Sequence, residues 1–443
     1  MTLVKNVRKI IKSLGPGMII TASFIGPGTV TTMTQGGAGF GYSLLWAVVF
    51  SIVATIVLQE MIIRLSLVTR EGLGEAIQEL FAHKVGKLII VWFTLIAVTI
   101  GCAAYISGDL IGTSLGAAYL LNLPENLVAP IIGFIILLIG LFGNYKFLEK
   151  IMIFLMVIMG IIFITTMIVI KPDIFGILKG VFVPTIPNGS IITVIALIGT
   201  TVVPYNFFIH STAVHERFNG IKELKFARWD TIISITVGGI ISAAILIAAA
   251  TLIRGDEVKS IIQLSGPLKP VLGDAAPFAI SIGLFAAGLS SAIASPTGAA
   301  ATISSLLGWK GGMESKKYKI VFAVIILIGI TTSSLGFEPL EVLLVAQALN
   351  GIILPIVAIL IFIIINKKNL MGRFVNNIWL NIIGFVVVLI VTFLGLYSLV
   401  DAITSFLSQI KKTYSPIIYK IGYYTSFIYV FSDYIKRFSL NLL

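Results

Sequence analysis

Gly15-Pro16-Gly17-Met18-Ile19-Ile20-Thr21-Ala22-Ser23-Phe24-Ile25-Gly26-Pro27-Gly28 opens the first apolar segment of the chain and then interrupts it in the middle. Proline removes a backbone donor and clashes with the preceding turn, and flanking glycine lets the chain leave helical geometry. A second interruption, Val203-Pro204-Tyr205-Asn206, falls in the middle of the sixth apolar segment. A lone proline merely kinks a membrane helix. Two breaks five spans apart say more, because five is odd and the second set of five spans is inverted relative to the first. Corresponding breaks in two inverted halves point to the binding site of a secondary transporter.

The rest of the sequence supports a membrane setting. Of 443 residues, 58% are apolar and only 11% charged, whereas soluble domains carry about a quarter charged residues. The apolar runs are continuous and about twenty residues long, enough to span a hydrocarbon core as helices and unlike the alternating strands of an outer-membrane barrel. Spans are expected at roughly 16–39, 44–68, 88–118, 127–145, 150–170, 190–216, 229–253, 277–307, 319–335, 341–366 and 375–405. The short, Gly/Pro-broken first run argues against a cleaved signal peptide. One cysteine, Cys102, excludes a disulfide framework.

The net charge of +12 reads as loop asymmetry and not as nucleic-acid binding. Alternate loops, beginning with the N-terminus, carry Lys5, Arg8, Lys9, Lys12, Arg64, Arg70, Lys84, Lys87, Lys146, Lys150, Arg217, Lys222, Lys225, Arg228, Lys310, Lys316, Lys317, Lys319, Lys367, Lys368 and Arg373. The opposite loops carry only Lys171, Lys179, Arg254, Lys259 and Lys269. By the positive-inside rule the N-terminus is cytoplasmic, in a bacterial-type inner membrane. The transporter domain is expected over 1–405, with repeats at 16–170 and 190–366 and an extra helix at 375–405. The basic, aromatic tail 406–443, with Lys411, Lys412, Lys420, Lys436, Arg437 and Tyr423–Phe431, fits an interfacial element or a twelfth span.

These residues resemble the Nramp divalent-metal transporters. The likeness rests on the two Gly-Pro-Gly elements above and on Gly36-Gly37-Ala38-Gly39-Phe40-Gly41-Tyr42-Ser43-Leu44-Leu45-Trp46. It extends to Arg64–Thr69, Pro204, His210-Ser211, Ser290-Ser291 and Ala346-Gln347 through Pro355. The resemblance, over about 13–366, implies an all-α polytopic protein of LeuT-type fold: two inverted five-helix repeats, with broken helices 1 and 6, plus an eleventh helix. It also implies proton-coupled carriage of a divalent metal such as manganese or magnesium.

The departures fall on the metal ligands that the resemblance implies. Gly26 and Thr29 replace the Asp and Asn of an Asp-Pro-Gly-Asn motif, and Val203 and Tyr205 replace the Met and His of a Met-Pro-His motif. Ile353 aligns with a ligating Gln. On the third helix Ile106 replaces an Asp of the family's proton route, while Asp109 keeps the neighbouring acid. Magnesium-selective relatives keep the carboxylate and drop the thioether; both are changed here. Divalent cations require anionic or strongly polar ligands, so no resident metal is expected. Half-helix N-termini favour negative charge, and the expected substrate site is Gly26, Pro27, Gly28, Thr29, Thr31, Thr32, Val203, Tyr205 and Asn206. A small anion such as bicarbonate is the first expectation, a divalent metal the alternative, and a small amino or organic acid a third.

Asp109, His210, Ser290, Ser291 and Gln347 are candidates for coupling or the pathway, with H⁺ or Na⁺ as the coupling ion and no cofactor. Glu60 is expected to pair with Arg64 at i,i+4. His210 and His215 are five apart and do not share a helix face, which argues against a metal pair. Gly283, Gly288 and Gly298 read as small residues for close helix packing. Phosphate-binding loops and hydrolase elbows are missing from the sequence; a channel or receptor is the rival class, and paired breaks argue against it.

Overall fold

The computed structural model describes residues 15–414 apart from 81–82, 143–144, 256–257 and 259. The basic N-terminal run and the tail from 415 on lie outside the described residues. Each expected span is helical. The first is split into α1 (Pro16–Phe24) and α2 (Pro27–Phe40). There follow α3 (Leu45–Thr69), a short α4 (Leu73–Gln78), α5 (Lys84–Leu121), α6 (Glu125–Phe142) and α7 (Tyr145–Val169). A linking helix, α8 (Ile174–Phe182), leads to the second broken span, α9 (Ile191–Thr201) and α10 (Pro204–Arg217). Then come α11 (Leu224–Leu252), α12 (Ala276–Leu306), α13 (Lys316–Ser333), α14 (Pro339–Ile365) and α15 (Ile378–Tyr414). Among the described residues eight stretches are long and apolar enough to cross a membrane, and the first of them, Pro27–Thr69, runs α2 into α3.

Proline alone does not decide where a span breaks. Pro130, Pro296 and Pro355 sit inside α6, α12 and α14, which stay continuous. The two real breaks share one backbone pattern. Ile25 (φ −82°, ψ 79°) and Val202 (φ −93°, ψ 78°) end α1 and α9, and an extended Gly26 or Val203 follows, with proline as the first residue of the next helix. The same device thus recurs in both halves, as inverted repeats require.

The broken spans occupy the centre: every residue of α1 except Met18 is buried, and so is each residue of α10 from Pro204 to Ser211. Trp92, Phe93, Phe134 and Ile135 on α5 and α6 instead face outward, as lipid-facing apolar residues do. Small residues let the scaffold helices touch. A Cβ on Gly116 of α5 would lie 2.5 Å from the Ser281 carbonyl oxygen of α12. Gly199 of α9 lies against the backbone of Gln347 and Gly351 on α14, and a Cβ on Gly351 would meet Ile195 at 2.5 Å. Such backbone approach is how membrane helices gain dispersion contacts without a hydrophobic driving force.

Two elements escaped the hydropathy reading, α4 and α8, both too short to register as spans. Asp173 caps α8 by accepting the Phe175 N–H at 3.0 Å, and Gly176 and Gly180 lay the helix against Tyr42. The expected Glu60–Arg64 pair is present at 3.0 Å, and Glu60 also binds Arg228 of α11 at 2.6 Å. Arg64 further donates to the Phe374 carbonyl and the Asn376 side chain.

Candidate functional site

The first break is built around a space and not around a strained conformation. Gly26 is extended (φ −114°, ψ −176°), which any residue can adopt. A Cβ there would stand 2.9 Å from the Ser291 side chain and 3.4 Å from Asp109 Oδ1. Ser291 donates to Asp109 Oδ2 at 2.8 Å and is 3.2 Å from the Ser23 carbonyl; Ser295, one turn on, reaches the same carboxylate oxygen at 3.3 Å. Ser290 donates to the Ala22 carbonyl at 2.7 Å. The two serines therefore tie α12 to the end of α1, and Asp109 faces the break from α5.

Gly28 marks the second close approach, since Gln347 of α14 fills the place a Cβ would take. Its Oε1 meets no protein donor. Thr29 donates to the Phe24 carbonyl and pairs with Thr200 at 2.7 Å, joining the two broken spans. Pro27 packs on Gly112 of α5. Thr31 and Thr32 are buried with hydroxyls that no protein group meets.

At the second break Val203 is the N-cap of α10 and is buried. Asn206 Oδ1 accepts from Ser23 Oγ at 2.7 Å, which leaves its buried Nδ2 donor free. The Tyr205 ring takes the space left by Gly298 and meets Tyr105 edge-on, ring centres 5.6 Å apart. Its hydroxyl approaches Ser291 but closes no hydrogen bond of good geometry. Tyr205 and Asn206 thus bring the second break to the residues that surround the first.

Three further positions are placed by the structure. The amide that reaches the break from α14 is Gln347; Ile353, aligned there in the sequence, packs against Gly101 of α5 instead. His210 lies off the break, its Nδ1 2.7 Å from Gln59 of α3 and its Nε2 without a partner. Ile106 faces Gly329 of α13, whereas Asp109 turns to the break. Ser23, Tyr105, Thr200 and Ser295 belong to the site and were not expected. Ser295 had a signal, lying four residues from Ser291 on one helix face. Among the described residues no group of three His, Cys, Asp or Glu could hold a metal ion.

Cavities approach from both ends. One of about 740 Å³ reaches Ile111 and Ser114 on α5 from a mouth bearing Glu125 and Glu338. Another, about 180 Å³, lies at the opposite end between α10 and α12, lined by His215, Ser304, Ser305 and Tyr318.

The model of the natural resistance-associated macrophage protein-like family matches residues 17–401. The chain belongs to the Nramp family. A curated Nramp relative, the divalent metal cation transporter MntH of Klebsiella pneumoniae (strain 342), is 28% identical over 401 residues, covering 88% of this chain and 94% of that protein. A crystal structure of the Eremococcus coleocola manganese transporter, in complex with an aromatic bis-isothiourea substituted compound, superposes with a TM-score of 0.75 at 19% identity, covering 97% of this chain and 96% of the other. Mhp1, a nucleobase-cation-symport-1 family transporter, shares the fold more distantly, with a TM-score of 0.56 at 16% identity over 86% of this chain and 91% of its own. This Nramp chain is therefore an integral membrane secondary transporter of LeuT-type fold.

Proposed function

We propose that this Nramp-family transporter carries a small inorganic anion, bicarbonate being the best fit, by alternating access. The observation behind this reading is the donor chemistry at the breaks. Asn206 Nδ2 and the Tyr205 hydroxyl are buried without protein partners, and α2 and α10 start there with their positive dipole ends. Gly26 and Val203 supply neither carboxylate nor thioether. Asp109 is then the coupling group. A carboxylate beside an anion repels it, so anion entry favours protonated Asp109 and links transport to proton uptake. The charge asymmetry of the loops supports a cytoplasmic N-terminus.

A second reading is a divalent cation. The curated relatives named divalent metal cation transporters favour it, as do the Asp109 carboxylate at Gly26 and the unpartnered oxygen of Gln347, whose side chain sits at Gly28. Against it stands the cost of desolvating a dication among mostly neutral ligands. Uptake into proteoliposomes separates the two. With equal reconstituted protein, ¹⁴C-labelled bicarbonate at alkaline pH should enter saturably, and Mn²⁺ and Mg²⁺ should enter no faster than into empty vesicles. Saturable Mn²⁺ uptake at micromolar concentration establishes the second reading and ends the first.

A further inference from the structure

We propose that Asp230 is the residue that positions α1, capping this half-helix from α11 and so setting how readily the path on that side opens. α1 starts at Gly15-Pro16-Gly17, and its N-cap, Gly15, offers no side-chain acceptor. Pro16 has no N–H, and the two neighbouring donors both go to one distant carboxylate. Gly15 N–H donates to Asp230 Oδ1 at 3.0 Å and Gly17 N–H to Oδ2 at 2.7 Å. Ser234 adds a longer contact at 3.4 Å. Asp230 is fully buried, and its charge faces the positive end of the α1 dipole. The fit leaves no slack: a Cβ on Gly17 would stand 2.8 Å from the Asp230 carbonyl oxygen.

The other end of α1 is the Ile25–Gly26 link, where Gly26 is extended and the Thr29 hydroxyl reaches across the break to the Phe24 carbonyl. α1 is thus a short rod, tied at its start to α11 by Asp230 and at its end to α12 by Ser290 and Ser291. For α1 to move away from α11, both bonds to Asp230 must break, whatever happens to the bonds from Ser290 and Ser291 at its far end. Asp230 touches no substrate. Its effect is on the balance between closed and open, and this holds whichever ion is carried.

Thiol labelling tests this without any transport assay. Cys102 is the only cysteine, so a Cys102→Ser chain takes a single reporter through Ile20→Cys, at a position of 0% exposure on α1. In nanodiscs, Asp230→Ala should raise the maleimide labelling rate of that reporter about ten- to a hundred-fold, the loss expected for charge-assisted hydrogen bonds. Asp230→Asn, which keeps one acceptor, should raise it less. A second reporter made by Leu284→Cys in the α12 core should label as slowly as before. Unchanged labelling at position 20 overturns the proposal, and so does equal acceleration at both positions, which would mean general loosening. If the Ala variant does not assemble, the Asn variant is judged by the same two outcomes.

Discussion

The Asp109 carboxylate on α5 stands 3.4 Å from the point that a Cβ on Gly26 would occupy. The acidic group at the first break therefore comes from a neighbouring helix and not from the broken span. It is held there by Ser291 and Ser295, and Ser291 in turn contacts α1. The carboxylate is thus tied to the backbone of α1 through one hydroxyl.

Gly26→Asp should abolish anion uptake. The new side chain would collide with Ser291, 2.9 Å from its Cβ, and place a second carboxylate beside Asp109, where like charges cannot both ionise. Initial rates in proteoliposomes at equal protein check this. Anion flux equal to that of the unmodified chain would show that the substrate does not enter at Gly26.

Asp109→Asn should separate transport from its driving force. The amide keeps an acceptor for Ser291 and Ser295 but cannot take up or release a proton. Counterflow of labelled substrate should persist, while accumulation driven by an imposed pH gradient should vanish. Gradient-driven accumulation that survives the change would place coupling elsewhere, with His210 the next group to examine.

Tyr205→Phe and Asn206→Ala each remove a buried donor. The loss of one hydrogen bond to a charged ligand is about 1.5–3 kcal/mol, or about ten- to a hundred-fold in apparent affinity. Uptake at low substrate should fall much more than uptake at saturation. Should the Phe variant keep the original affinity, Tyr205 serves as an aromatic plug against Gly298. If neither variant changes affinity, the second break is only a hinge.

Stability should divide unequally around Glu60. Arg64 is 3% exposed and Arg228 40% exposed. Glu60→Ala leaves the buried Arg64 guanidinium with only neutral acceptors, the Phe374 carbonyl and the Asn376 side chain, and should cost about 3 kcal/mol. Arg228→Ala removes a solvent-facing partner and should cost about 1 kcal/mol or less. Thermal unfolding in detergent would rank them, and equal losses would refute the assignment by burial.

What the sequence made legible follows from chemistry that acts locally. Gly-Pro-Gly and Val-Pro-Tyr-Asn mark the breaks because proline and glycine act on their own backbone, and span lengths follow from hydrophobic thickness. The site depends on long-range pairings that periodicity does not encode. Thr29 meets Thr200, Ser23 meets Asn206, and Ser291 meets Asp109, yet this chain has many other Ser and Thr on its helices. Register on α14 shows the same limit. Ile353 lies nearer the proline in sequence, but Gln347 is the residue for which the missing side chain of Gly28 leaves room.

Gly199 brings α9 against the α14 backbone at Gln347 and Gly351, and Gly351 in turn takes the Ile195 side chain of α9. Close backbone approach of this kind packs two helices tightly at the point of contact. The contact couples α9 to α14, and with it Thr200 to Gln347. The first break is therefore covered on two sides by residues of one joined pair of helices, Gln347 over Gly28 and Thr200 on Thr29.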